Sequence, residues 1–192
     1  TRLLVPRERQ AEVEELLPSY FGFIEYGDPA SDSQIMGPVI NARQRQRVLD
    51  YIALGKEEGA RLLLGGGCPE HIDKGFYVEP TVFVDVNNDM RIAREEIFGP
   101  VLVVIPYDDE EDAVRIANDS DYGLSAGVWS ADEERAMAVA RRIRAGTVNV
   151  NGGNFYAADA PFGGYKQSGI GREMGREGFE EYLETKTIAI GM

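Results

Sequence analysis

The sequence holds a single cysteine, Cys68, and a single histidine, His71. One cysteine excludes an internal disulfide and fits a reducing, cytoplasmic setting. One residue of each type is also too few for a structural zinc site. Basic charge is short: 20 Lys and Arg stand against 33 Asp and Glu, for a net charge of -13. A surface of that sign repels phosphate backbones, so no nucleic acid is expected as a partner. Long apolar runs are missing too. A membrane-spanning helix needs roughly 18 apolar residues, whereas the longest run, residues 101–106, is strand-sized, so no membrane is expected either. The chain opens Thr1-Arg2-Leu3-Leu4-Val5-Pro6, without an initiator Met, a basic leader or a cleavage site. It is expected to continue upstream.

What is present is an ordinary globular composition, 43% hydrophobic, enough for one domain of this length. Short apolar runs alternate with helical periodicity. Residues 3–5 read as a strand, followed by a helix with Ala11, Val13, Leu16 and Leu17 on its apolar side. Asn41 is placed to cap a helix running to Gly59, with Val48, Leu49, Ile52 and Ala60 inward. Residues 62–64 read as a strand ending at Gly65-Gly66-Gly67, and residues 77–86 as an extended run interrupted by Pro80. A strand at 101–105, a helix at 110–118 and a strand at 125–129 follow. Asp132 then caps a helix with Ala136, Val139, Ala140 and Ile143 inward. A strand at 146–150, a short helix near 175–183 and a last strand at 187–190 close the chain. Short strands separated by helices predict crossover units, and so an α/β fold with three layers and a largely parallel sheet.

Glu95-Glu96-Ile97-Phe98-Gly99-Pro100 stands directly before the strand at 101–105. Two acids, an aromatic and a Gly-Pro stop describe a tight turn that presents a carboxylate and a ring. A carboxylate has two acceptor oxygens, which match the neighbouring hydroxyls of a ribose. The ring two residues on would cover a flat heterocycle. By composition alone, the same residues also describe a helix end with solvated acids and a core phenylalanine. Gly169-x-Gly171 is no dinucleotide fingerprint, because no strand runs into it and Met174 stands where a third glycine belongs.

The hexapeptide, led in by Met90-Arg91-Ile92-Ala93, resembles the cofactor-anchoring motif of the aldehyde dehydrogenase family. The resemblance implies that Glu96 binds the hydroxyls of the nicotinamide ribose and that Phe98 packs near the nicotinamide. Gly146-Thr147-Val148-Asn149-Val150-Asn151, leading to Pro161-Phe162-Gly163-Gly164-Tyr165-Lys166, resembles a second family signature. By that match Phe155, Tyr156 and Phe162 would line the aldehyde tunnel, and the lesser alternative for Phe155 and Tyr156 is that they plug the core. The matches at Gly27-Asp28-Pro29, Met36-Gly37-Pro38-Val39-Ile40 and Gly75-Phe76-Tyr77-Val78-Glu79-Pro80-Thr81 extend the likeness over the whole chain.

In this family a cysteine within a Gly-Gln-x-Cys stretch attacks the aldehyde, and an upstream glutamate activates the thiol and the hydrolytic water. Neither is expected within this chain. Cys68, between Gly67 and Pro69, has no helix start or basic neighbour to lower its pKa and is not expected to be the nucleophile. The resemblance therefore implies residues 1–183 as a catalytic-domain portion and 184–192 as an oligomerisation strand segment. It also implies an N-terminal half carrying the NAD-binding domain outside the chain, NAD or NADP as cofactor, an aldehyde substrate and a homo-oligomer. The alternative is a naturally short binding or assembly module, or one half of a split enzyme.

Overall fold

The computed structural model describes residues 1–153 and 156–191. Contacts divide the chain into two compact units, Thr1–Ala113 and Val114–Met192.

The first unit is built on a four-stranded sheet in the order β1 (Arg2–Pro6), β4 (Val101–Tyr107), β3 (Thr81–Val84), β2 (Arg61–Leu64). β1 and β3 both pair parallel with β4, through Arg2↔Val103 and Thr81↔Val101. β2 pairs antiparallel with β3, so the sheet is mixed at that edge. The reason is the connection: residues 65–80 contain no crossover helix, and without one the chain returns antiparallel. Alternation along the strands sorts the side chains to two faces. Val5, Val82, Val84 and Val104 pack against Leu17, Val13 and Phe21 of α1 (Gln10–Gly22). On the opposite face Phe83 meets α2 (Ala42–Glu57), where a side chain on Gly55 would strike its ring. Helix, sheet and helix thus form three layers, and the fold is α/β.

The helix signals of the sequence hold where they are local. The Asn41 carboxamide accepts a hydrogen bond from the Gln44 N–H at 2.9 Å and caps α2. Val48 and Ile52 are buried on that helix, as is Ala60 just beyond it. Leu16 departs from expectation: it is 47% exposed, while Leu17 carries the burial of α1. The extended run at 77–86 narrows to β3, because Pro80 has no N–H for a ladder.

Along the sequence, the boundary between the units falls within α4 (Glu110–Asn118). In the second unit β6 (Ser125–Val128) runs through α5 (Glu133–Ala140) to β7 (Thr147–Val150), and the two strands pair parallel from Ser125↔Thr147 to Val128↔Val150. Asp132 caps α5 by accepting from the Arg135 N–H at 3.1 Å, and Ala136 is fully buried. A second, two-residue pairing joins β5 (Tyr122–Gly123) antiparallel to β8 (Tyr165–Lys166). It is held by the Lys166 ammonium, which donates to the Asn118 and Ser120 carbonyls at 2.8 and 2.7 Å. α6 (Gly175–Glu180) is shorter than the sequence suggested. The expected last strand at 187–190 is not formed: residues 183–191 carry no strand, and Ile188 and Ile190 are 83% and 89% exposed. A strand needs a hydrogen-bonding neighbour, and the described residues of this chain supply none there.

Candidate active site

The turn that enters β4 is built from both sides. It begins with α3 (Arg91–Arg94), whose first two N–H groups, those of Arg91 and Ile92, donate to the Glu58 carboxylate at 2.8 and 3.3 Å. It ends where the Thr81 N–H donates to the Pro100 carbonyl at 2.8 Å, the first rung between β3 and β4. Between these anchors Ile97 is buried, while Glu96 and Phe98 are exposed. This is the alternation of an extended segment, with one side chain inward and its neighbours outward.

Phe98 is 76% exposed and has a φ of 59°, the left-handed region that non-glycine residues avoid. Such a backbone costs on the order of 1–3 kcal/mol and persists only where its surroundings hold it. Here the Gln44 carboxamide donates to the carbonyls of Ile97 and Phe98 at 3.0 and 2.8 Å. Gly99 is required next, because a side chain there would drive into Val48 of α2. The Arg47 guanidinium donates to the Glu96 carbonyl and lies 4.9 Å above the Tyr51 ring. Gln44, Arg47, Val48 and Tyr51 recur at three- and four-residue spacing, so one face of α2 meets the whole turn.

The two adjacent acids differ sharply. The Glu95 carboxylate accepts two hydrogen bonds from Arg91, at 2.7 and 3.0 Å, and a third from the Tyr51 hydroxyl. Those hydrogen bonds, from Arg91 first and Tyr51 second, lower its pKa from 4.5 to about 2. The Glu96 carboxylate accepts no hydrogen bond from any described residue and faces solvent. It opens on a groove of about 1300 Å³ along α2, which Arg47, Tyr51, Arg91 and Phe98 also line. A free carboxylate next to an uncovered ring suits a ligand that carries both hydroxyls and a flat heterocycle.

In the second unit Tyr156 is 63% exposed and so is no core plug. Its ring meets that of Phe162 edge to face, with centroids 5.5 Å apart. Phe162 is half-buried and exchanges two backbone hydrogen bonds of 2.7 Å with Glu173. Phe155 lies outside the described residues. Gly146, just before β7, passes so close to the Gly163 carbonyl that no side chain would fit. Cys68 is exposed in the connection from β2 to β3. His71 sets its ring 5.6 Å from that of Tyr26. Among the described residues, no group of His, Cys, Asp and Glu has the geometry of a metal site.

Sequence reasoning named Glu96 and Phe98 but passed over Gln44, Arg47 and Tyr51. The available signal was polar side chains at helical spacing beside the buried Val48, on the face expected to be apolar.

The sequence profile of the aldehyde dehydrogenase family matches residues 1–188. The betaine aldehyde dehydrogenase of Brucella anthropi is 46% identical over 194 residues, which cover 100% of this chain and 40% of that protein. Among solved structures, the aldehyde dehydrogenase of Mycobacterium tuberculosis complexed with NAD+ aligns with a TM-score of 0.95 and 49% identity, covering 100% of this chain and 40% of its own. Aldehyde dehydrogenase C of Pseudomonas syringae, a mutant complexed with NAD+ and octanal, aligns at 0.93 and 53%, covering 97% and 38%. The fold is that of an aldehyde dehydrogenase catalytic domain. The chain belongs to the aldehyde dehydrogenase family, and it spans about 40% of the length of the curated relatives it matches.

Proposed function

We propose that this chain is the C-terminal catalytic-domain portion of an NAD(P)-dependent aldehyde dehydrogenase, which oxidises an aldehyde to a carboxylic acid. The observation that carries the reading is the turn before β4, where Glu96 is left unengaged beside the uncovered ring of Phe98. In this reading residues 1–183 are the catalytic-domain portion and residues 184–192 join oligomer contacts between copies. An N-terminal portion supplies the NAD-binding domain, the nucleophilic cysteine and the general-base glutamate. Cys68, solvent-exposed on a surface connection, takes no part. The one cysteine of this chain is unbridged, which fits a reducing compartment, and the enzyme is placed in the cytoplasm.

The cofactor supplies one step, acceptance of hydride from the substrate. The chain's own residues fit such a cofactor: Glu96 would hold the two hydroxyls of the nicotinamide ribose and Phe98 would lie by the ring. NAD is favoured over NADP because several solved relatives were captured with NAD+. Phe155, Tyr156 and Phe162 would form an apolar lining for the aldehyde, which must shed its hydrate before attack.

The test compares the chain alone with the chain joined to its N-terminal portion, following reduced cofactor. The isolated chain is expected to oxidise no aldehyde, and the joined enzyme to do so. Glu96→Gln in the joined enzyme should slow hydride transfer about 10- to 100-fold with the fold intact, the scale of a misplaced reactant. Turnover by the purified chain alone would falsify the division of labour, and unchanged kinetics in Glu96→Gln would remove this residue from the site.

A further inference from the structure

We propose that Tyr51 and Arg91, acting through Glu95, are positioning residues that set the direction in which Glu96 and Phe98 are presented to the cofactor. The inference rests on the reading of the turn just given. Two neighbouring acids in an extended segment point to opposite sides, so fixing one fixes the other. Glu95 is the fixed one. The Arg91 guanidinium grips it through Nε and Nη2, at 2.7 and 3.0 Å, a planar two-point contact that sets the carboxylate's plane as well as its place. The Tyr51 hydroxyl adds a third point from α2.

Each holder is held in turn. Tyr51 is buried, and the Arg47 guanidinium covers its ring while donating to the Glu96 carbonyl one residue on. Arg91 opens α3, and its N–H is tied to Glu58 near the end of α2. Of the two neighbouring carboxylates, the one held by the protein is therefore not the one offered to the ligand. Its partners come from two helices that bracket the turn.

The experiment uses the intact enzyme that contains this chain, with Tyr51→Phe and Glu95→Gln made singly and each combined with Glu96→Gln. Each single variant should slow hydride transfer roughly 10- to 100-fold, with a smaller change in the KM for the aldehyde. Combined with Glu96→Gln, neither should lower the rate much further, because the clamp acts only by aiming Glu96 and its neighbour. Losses that multiply would mean a general structural role and overturn the proposal. So would wild-type rates in both single variants. If Glu95→Gln fails to fold, Tyr51→Phe, which removes one oxygen, decides alone. A wild-type enzyme without aldehyde turnover sinks the functional reading itself, whereas turnover unaffected by the single variants sinks only the clamp.

Discussion

Phe98 shows what a single residue needs from its surroundings. Its left-handed backbone would not persist without the Gln44 carboxamide on its carbonyl and the absent side chain of Gly99 against Val48. Glu95 shows the same dependence in its ionisation. Its pKa, lowered from 4.5 to about 2 by Arg91 and Tyr51, means that its tie strengthens the fold fully above pH 4.5 and is lost as pH falls through about 2. A carboxyl-carbon NMR titration is therefore expected to give Glu95 a midpoint near 2. A midpoint at the ordinary carboxylate value would mean that the three hydrogen bonds do not hold in solution. Neither the tie nor the strain is legible in Glu95-Glu96-Ile97-Phe98-Gly99-Pro100 read as a string. Arg91 stands only four residues before Glu95, but Tyr51 and Gln44, which complete the tie and hold the strain, sit on another helix, 44 and 54 residues before their acceptors.

Among the elements, α2 does the most, since it covers one face of the sheet and grips the turn. Its start depends on one local contact, the Asn41 cap. Asn41→Ala is expected to destabilise the protein by about 1 kcal/mol, read from denaturant midpoints at constant slope. An unchanged midpoint would show that packing through Val48 and Ile52 alone determines where the helix begins. Elements with such local causes were legible in advance: α2 and α5 from their Asn and Asp caps and apolar spacing, and α4 from its bounds. Elements defined by distant partners were not. β2 turned antiparallel because no helix separates it from β3. The pair of β5 and β8 joins residues more than 40 apart, and no repeat or turn signal announces it. The run at 187–190 has the composition of a strand without a partner in the described chain to make it one.

At the scale of the molecule, that exposed tail sets an expectation. Ile188 and Ile190 stand in solvent on a segment with unpaired backbone, the condition under which chains add strands to one another. The isolated chain should self-associate through residues 187–190, with mass rising with concentration in light scattering. A strictly monomeric result at high concentration would count against it. No described helix is long and apolar enough to cross a membrane. By itself the sequence determined the α/β class, the order of most helices and strands, the family, and the presence of two acids and an aromatic before β4. These follow from periodicity, caps and a contiguous motif, all carried by near neighbours along the chain. Only the tertiary structure decided which acid is bound inside and which is left free, what holds Phe98 outward, and which ladder is antiparallel. Apart from the i,i+4 contact of Arg91 with Glu95, those outcomes depend on hydrogen bonds between segments far apart in sequence, and such partners are chosen by packing rather than by local pattern.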